Sequence, residues 1–136
     1  MNVLDQLKYD EKGLVTAVAR DVHTGRVVML AHMNREALEK TLATRVAHYY
    51  SRSRRTLWKK GESSGHVQQV HHVYVDCDGD AVLLDITQEG AACHEGYFSC
   101  FFREMIALDR ELNIIEERRV DPDKVYPKKE TPVVSE

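Results

Sequence analysis

No apolar run in the chain approaches the roughly 18 residues of a membrane span, and the opening Met1-Asn2-Val3-Leu4-Asp5-Gln6 has no basic stretch leading into an apolar one. A bilayer-embedded or exported protein is therefore not expected, and the reading is cytoplasmic. Cysteine is scarce: the 136 residues hold three, an odd number that suits reduced thiols in metal or catalytic work better than a disulfide framework. An excess of one charge is lacking too. With 19 basic against 22 acidic side chains and a formal net charge of −3, the whole chain makes no electrostatic case for nucleic acid or an anionic membrane. The length suits a single domain with a real core.

What is there concentrates in one stretch. Asp76, Asp78 and Asp80 offer hard oxygen donors for Mg2+, Ca2+ or Mn2+, whereas the thiols of Cys77, Cys93 and Cys100 are soft donors that suit Zn2+. Two different metals are suggested. On a strand, Val73, Val75 and Cys77 would face one way and Tyr74, Asp76 and Asp78 the other, which separates the donor sets. An EF-hand loop is excluded, because it needs Gly sixth and Glu twelfth where this run has Gly79 fourth and Thr87 twelfth. A solvated Asp-Gly turn, a buried apolar thiol and a Cys93–Cys100 disulfide are the plainer alternatives.

Local patterning suggests an α+β fold of mostly antiparallel strands with one or two short helices. Leu14 to Ala19 and Val27 to Leu30 read as a hairpin around His23-Thr24-Gly25. Asn34 is a good N-cap for a helix over Arg35 to Ala43, with Ala37, Leu38, Thr41 and Leu42 at helical spacing. Strands are also expected at Val46 to Ser51, Val67 to Cys77, Ala81 to Thr87 and Ser99 to Ile106, the middle two joined by the Asp78-Gly79-Asp80 turn. Residues 1–107 form the domain. Residues 108–136, charged and interrupted by Pro122, Pro127 and Pro132, read as a peripheral or partly disordered tail.

Ser51 to Gly65 is the most polar segment, with five basic side chains around Trp58. Arginine geometry and hydroxyl donors make it a phosphate cradle; a solvated basic loop is the alternative, and one aromatic is a thin case for nucleic acid. For the thiols, three ligands with an open fourth position match catalytic zinc, which activates water near neutral pH. His94, adjacent to Cys93, is placed to move protons. Cys93-His94-Glu95 also starts like a zinc nucleobase deaminase, but no Pro-Cys-x-x-Cys follows.

From about Gly13 to Arg103 the sequence resembles the phosphoribosyl-AMP cyclohydrolase family. The resemblance rests on Met29 to Asn34, Tyr50 to Arg54, Leu57 to Gly65, Asp76 to Asp80, Ala92 to His94 and Ser99 to Phe101, in that order. It implies hydrolysis of the N1–C6 bond of the adenine ring of phosphoribosyl-AMP, a step of histidine biosynthesis, by zinc-activated water. It further implies Mg2+ on Asp76, Asp78 and Asp80, and Zn2+ on Cys77, Cys93 and Cys100. An intertwined homodimer is implied as well, with the zinc shared so that one subunit gives Cys77 and the other gives Cys93 and Cys100. Within this picture Arg52, Arg54, Lys60, Ser63 and Ser64 are the candidate phosphate donors and His94 the candidate acid or base. A phosphorylated nucleotide is the expected partner, and nucleic acid and membrane are not. Phe98 stands where a basic residue is common in the family, which removes one possible phosphate contact.

Overall fold

Alternation along Val15, Ala17 and Ala19 buries one side of the first long strand, and Val82, Leu84 and Ile86 do the same for its neighbour. In the computed structural model, which describes residues 2–125, these strands are β1 (Val15–Asp21) and β6 (Ala81–Gln88). They run parallel at the centre of a four-stranded sheet. β2 (Val27–Met33) flanks β1 and β5 (Gln68–Val75) flanks β6, both antiparallel. The expected α+β class with mostly antiparallel strands is what is found, and the one parallel pair demands the long crossover between β2 and β5.

That crossover covers the sheet's inner face. The side chain of Asn34 accepts the Ala37 N–H at 2.8 Å and starts α1 (Arg35–Thr44), which ends at Arg45 with φ of 60°. β3 (His48–Ser51) and β4 (Thr56–Lys59) follow as an antiparallel hairpin. Tyr49 and Trp58 are buried across it, with ring centroids 5.2 Å apart. The Tyr49 hydroxyl donates to Gln68 Oε1 at 2.7 Å and the Gln68 amide donates to Gln88 Oε1 at 2.8 Å. This polar chain fastens the hairpin to the sheet with its buried groups satisfied.

Three expectations need correcting. The strand expected over Val67 to Cys77 stops at Val75, because Asp76 Oδ1 accepts the N–H groups of Asp80 and Ala81 and Gly79 takes φ of 77°. Asp76 to Asp80 is therefore a turn, and Cys77 belongs to it. The strand expected over Ser99 to Ile106 shrinks to β7 (Arg103–Glu104). Ser99 Oγ is taken up by the Val27 carbonyl and the Phe101 N–H, and the Cys100 N–H goes to the Val28 carbonyl. The polar segment Ser51 to Gly65 contains β4 and the buried Trp58, so it is not one flexible loop. Within residues 108–125, β8 (Asn113–Ile114) pairs with β7, and α2 (Pro122–Val125) ends the described residues. The rest of the expected tail, 126–136, lies outside the described residues. Among the described residues no helix is long and apolar enough to cross a membrane.

Candidate functional site

The acidic turn is seated by the N-terminal segment. A 3-10 turn, Val3–Gln6, leads to Lys8, whose N–H donates to the Gly79 carbonyl at 2.8 Å. So held, the carboxylates of Asp76, Asp78 and Asp80 bring ligand oxygens within 4.8 Å of one another, all three residues exposed. Like charges at this distance resist joint ionisation. The carboxyl of Asp80 is held above the ordinary carboxylate value by its hydrogen bond with Asp78, by desolvation and by the charges of Asp78 and Asp76. Desolvation pushes Asp76 the same way, but the Ala81 N–H and hydrogen bonds with Asp78 and Asp80 outweigh it and hold Asp76 low. An all-oxygen donor set under mutual repulsion fits a hard divalent cation.

The second thiol group is built by a tight loop on the free edge of β2. Ala92 N–H to the Phe98 carbonyl and Cys93 N–H to the Tyr97 carbonyl, both 3.1 Å, close the loop, and Cys100 N–H to the Val28 carbonyl at 2.7 Å fixes it to the strand. Cys93 and Cys100 become hydrogen-bonded neighbours, and that bond together with desolvation drives the Cys93 thiol pKa upward. Both remain free thiols. Cys77 sits elsewhere, exposed on the acidic turn. Among the described residues, no group of three or more ligands clustered within one chain includes a cysteine. The soft donors suit zinc, yet a single chain presents them as a pair and a singleton.

His94 lies half-buried beside the thiol pair. Desolvation lowers its pKa, Glu95 opposes this and Lys60 reinforces it, so the imidazole is neutral at pH 7 and able to accept a proton.

The candidate phosphate donors lie at the two ends of β4. Arg52 and Arg54 are exposed at the β3–β4 tip, where the Arg54 N–H donates to Ser51 Oγ at 3.2 Å. Ser63 and Ser64 belong to the turn after β4, held by the Gly65 N–H on the Gly61 carbonyl at 2.7 Å. The four residues of β4 put these groups roughly 13 Å apart. Lys60, the remaining candidate, is buried. It is 3% exposed and its Nζ donates inward to the Ala92 carbonyl at 2.5 Å, so it is turned from solvent towards the thiols.

Sequence reasoning also missed a strap over the thiol loop. Arg119 and Val120 donate backbone N–H groups to the Gly96 carbonyl, Arg118 Nε donates to the Glu95 carbonyl at 2.9 Å, and the Arg119 guanidinium lies 4.1 Å from the Phe98 ring centroid. Arg26 reaches across to Glu116 at 2.6 Å. The aromatic position Phe98 thus carries a cation from far along the chain. Nothing in charge or periodicity marked residues 116–120 for this, since their partners are loop carbonyls, two rings and the distant Arg26.

A family model described as phosphoribosyl-AMP cyclohydrolase matches residues 29–102, a span that runs from β2 through the thiol loop. Among curated proteins, the chain is similar to a phosphoribosyl-AMP cyclohydrolase of Methanococcoides burtonii, 57% identical over 123 residues, covering 90% of this chain and 98% of that protein. A protein of the same name from Pelotomaculum thermopropionicum is 52% identical over 126 residues, covering 93% and 97%. One from Rhodopseudomonas palustris is 55% identical over 128 residues, covering 89% and 85%.

Proposed function

The chain belongs to the phosphoribosyl-AMP cyclohydrolase family, and from that premise we propose how its residues carry out the reaction. It is a hydrolase of histidine biosynthesis that opens the adenine ring of phosphoribosyl-AMP at N1–C6. The observation that carries the proposal is the split of the thiols into the Cys93–Cys100 pair and the distant, exposed Cys77. A zinc site with three thiol ligands is completed only when a second copy brings its own Cys77 to the pair. The working enzyme is then a homodimer with two sites at its interface, each built from both subunits.

When bound, Zn2+ supplies Lewis acidity that activates water near neutral pH. In the ring opening a water oxygen joins C6, the N1–C6 bond breaks, one water proton goes to N1 and the other to the exocyclic nitrogen, which remains as the carboxamide. His94, neutral and half-buried, takes the proton from the water and returns it to N1. Asp76, Asp78 and Asp80 would hold Mg2+, whose charge would offset their mutual repulsion one residue from Cys77. The substrate carries two phosphates, and the two donor groups flanking β4 divide them. Arg52 and Arg54 take one by charge-assisted bonds, and the hydroxyls of Ser63 and Ser64 take the other. The pathway and the absence of any membrane-spanning helix among the described residues suit a cytoplasmic enzyme.

The test is ultraviolet-monitored ring opening of phosphoribosyl-AMP by purified protein, before and after zinc removal and re-addition. Activity lost with zinc and restored by it supports the proposal. Full activity in zinc-free protein removes the zinc from it, and no activity in zinc-loaded protein refutes it.

A further inference from the structure

Among the described residues, Lys60 is the buried cation whose purpose the reaction scheme leaves open. It follows Trp58 and Lys59 off the end of β4, and strand alternation sends Trp58 and Lys60 inward while Lys59 stays exposed. Its side chain runs under the thiol loop, with Nζ on the Ala92 carbonyl and 5.9 Å from the Trp58 ring centroid.

A buried ammonium is costly unless a counter-charge lies close. Among the described residues Lys60 forms no ion pair with a carboxylate, and the Ala92 carbonyl is only a dipole. That carbonyl belongs to the residue before Cys93, so the ammonium is held at the backbone of the thiol loop. Three thiolates on Zn2+ leave a net negative centre, and this is the counter-charge that the site is missing.

We propose that Lys60 is a positioning residue for the zinc centre: its buried ammonium is the built-in counter-charge of the Cys93 and Cys100 sulfurs, favouring the metal-loaded pair over the empty one. The inference rests on the zinc reading above and assigns Lys60 to the metal rather than to phosphate. Coupling is reciprocal, so the same charge that strengthens zinc binding is a liability in the metal-free protein.

Two substitutions separate charge from hydrogen bonding. K60Q keeps a donor for the Ala92 carbonyl without the charge, and K60M removes both. The zinc dissociation constant of each is read by competition with a chromophoric chelator, and thermal unfolding is followed with and without zinc. Outer-sphere partners of a metal are typically worth about 10- to 100-fold in affinity, and that loss is expected for K60Q and K60M alike. Metal-free K60Q should be at least as stable as metal-free wild type. Wild-type affinity in K60Q, or a metal-free K60Q that is destabilised or unfolded, overturns the proposal, since either result gives Lys60 a merely structural hydrogen bond. If wild type binds no zinc, or C93S binds as wild type does, the zinc reading itself fails, and the two failures are distinct.

Discussion

A zinc site shared between subunits, as proposed, should let mixtures of inactive proteins regain activity in a fixed proportion. Cys77 sits on the exposed acidic turn while Cys93 and Cys100 are hydrogen-bonded neighbours on the β2 edge. C77S and C100S should each be inactive, since every site in either homodimer lacks a ligand. In a heterodimer of the two, one site combines both defects, and the other combines the intact Cys77 of the C100S chain with the intact pair of the C77S chain. One site in two is whole. Random exchange makes half of the dimers mixed, so an equimolar mixture should recover about a quarter of wild-type turnover and zinc content. The assay is subunit exchange in mild denaturant, return to native buffer, native mass spectrometry to count heterodimers, and ultraviolet-monitored ring opening. A C77S/C100S double variant gives the converse, because its heterodimers with wild type have no whole site, and an equimolar mixture should lose about half of the wild-type activity. No recovery in a mixture proven to contain heterodimers would refute the shared site, as would a C77S protein that is active alone.

Three further outcomes follow from particular contacts. Gly96 has φ of 95° and a Cβ there would strike the Val120 carbonyl oxygen, so G96A should cost about 2–4 kcal/mol from backbone strain and the lost Arg119 and Val120 hydrogen bonds; hydrogen exchange across 116–120 should accelerate, and unchanged protection would contradict this. Asp21 is 3% exposed and accepts from the Thr24 N–H and hydroxyl and the Gln88 N–H. Desolvation raises its pKa, but these bonds outweigh it and leave it depressed. Its contribution is therefore complete above the unfolded-state value of about 3.9 and is lost as pH falls through the lower folded value. D21N should cost about 1–3 kcal/mol near pH 7 and flatten the acid limb of a melting-temperature profile, whereas a parallel profile would count against the assignment. Arg52 is exposed at the β3–β4 tip, so R52A should raise KM about tenfold or more through a lost charge-assisted bond, with kcat and melting temperature nearly unchanged; an unaltered KM would remove it from the phosphate site.

How much of this was written in the chain can be judged element by element. Alternation in Val15 to Ala19 and the Asn34 cap are local signals, and both elements appear within a few residues of their expected bounds. The acidic cluster was also legible, because Asp76, Asp78 and Asp80 are so close in sequence that one turn gathers them. Less legible were the ends of strands: Cys77 is lost from β5 because the Asp76 side chain captures two backbone N–H groups, a competition that strand propensity does not register. The span Ser51 to Gly65 looked like one polar unit, and only the pairing of β4 with β3 divides its phosphate donors between two ends.

The sequence by itself determined which side chains are available for metal and phosphate chemistry, along with the class of fold that carries them. The tertiary structure alone decided which of them meet. Lys60 stood among the candidate phosphate donors by sequence, and only the fold buries it against the Ala92 carbonyl of the thiol loop. Arg118 and Arg119 reached Glu95 and Phe98 only because the β7–β8 pairing brings the chain back over the loop. Cys93 and Cys100 became neighbours through loop hydrogen bonds to β2 that depend on no residue type in particular. Composition and periodicity report on the chain's immediate surroundings, whereas these encounters depend on which distant backbone groups remain to be satisfied once the sheet has formed.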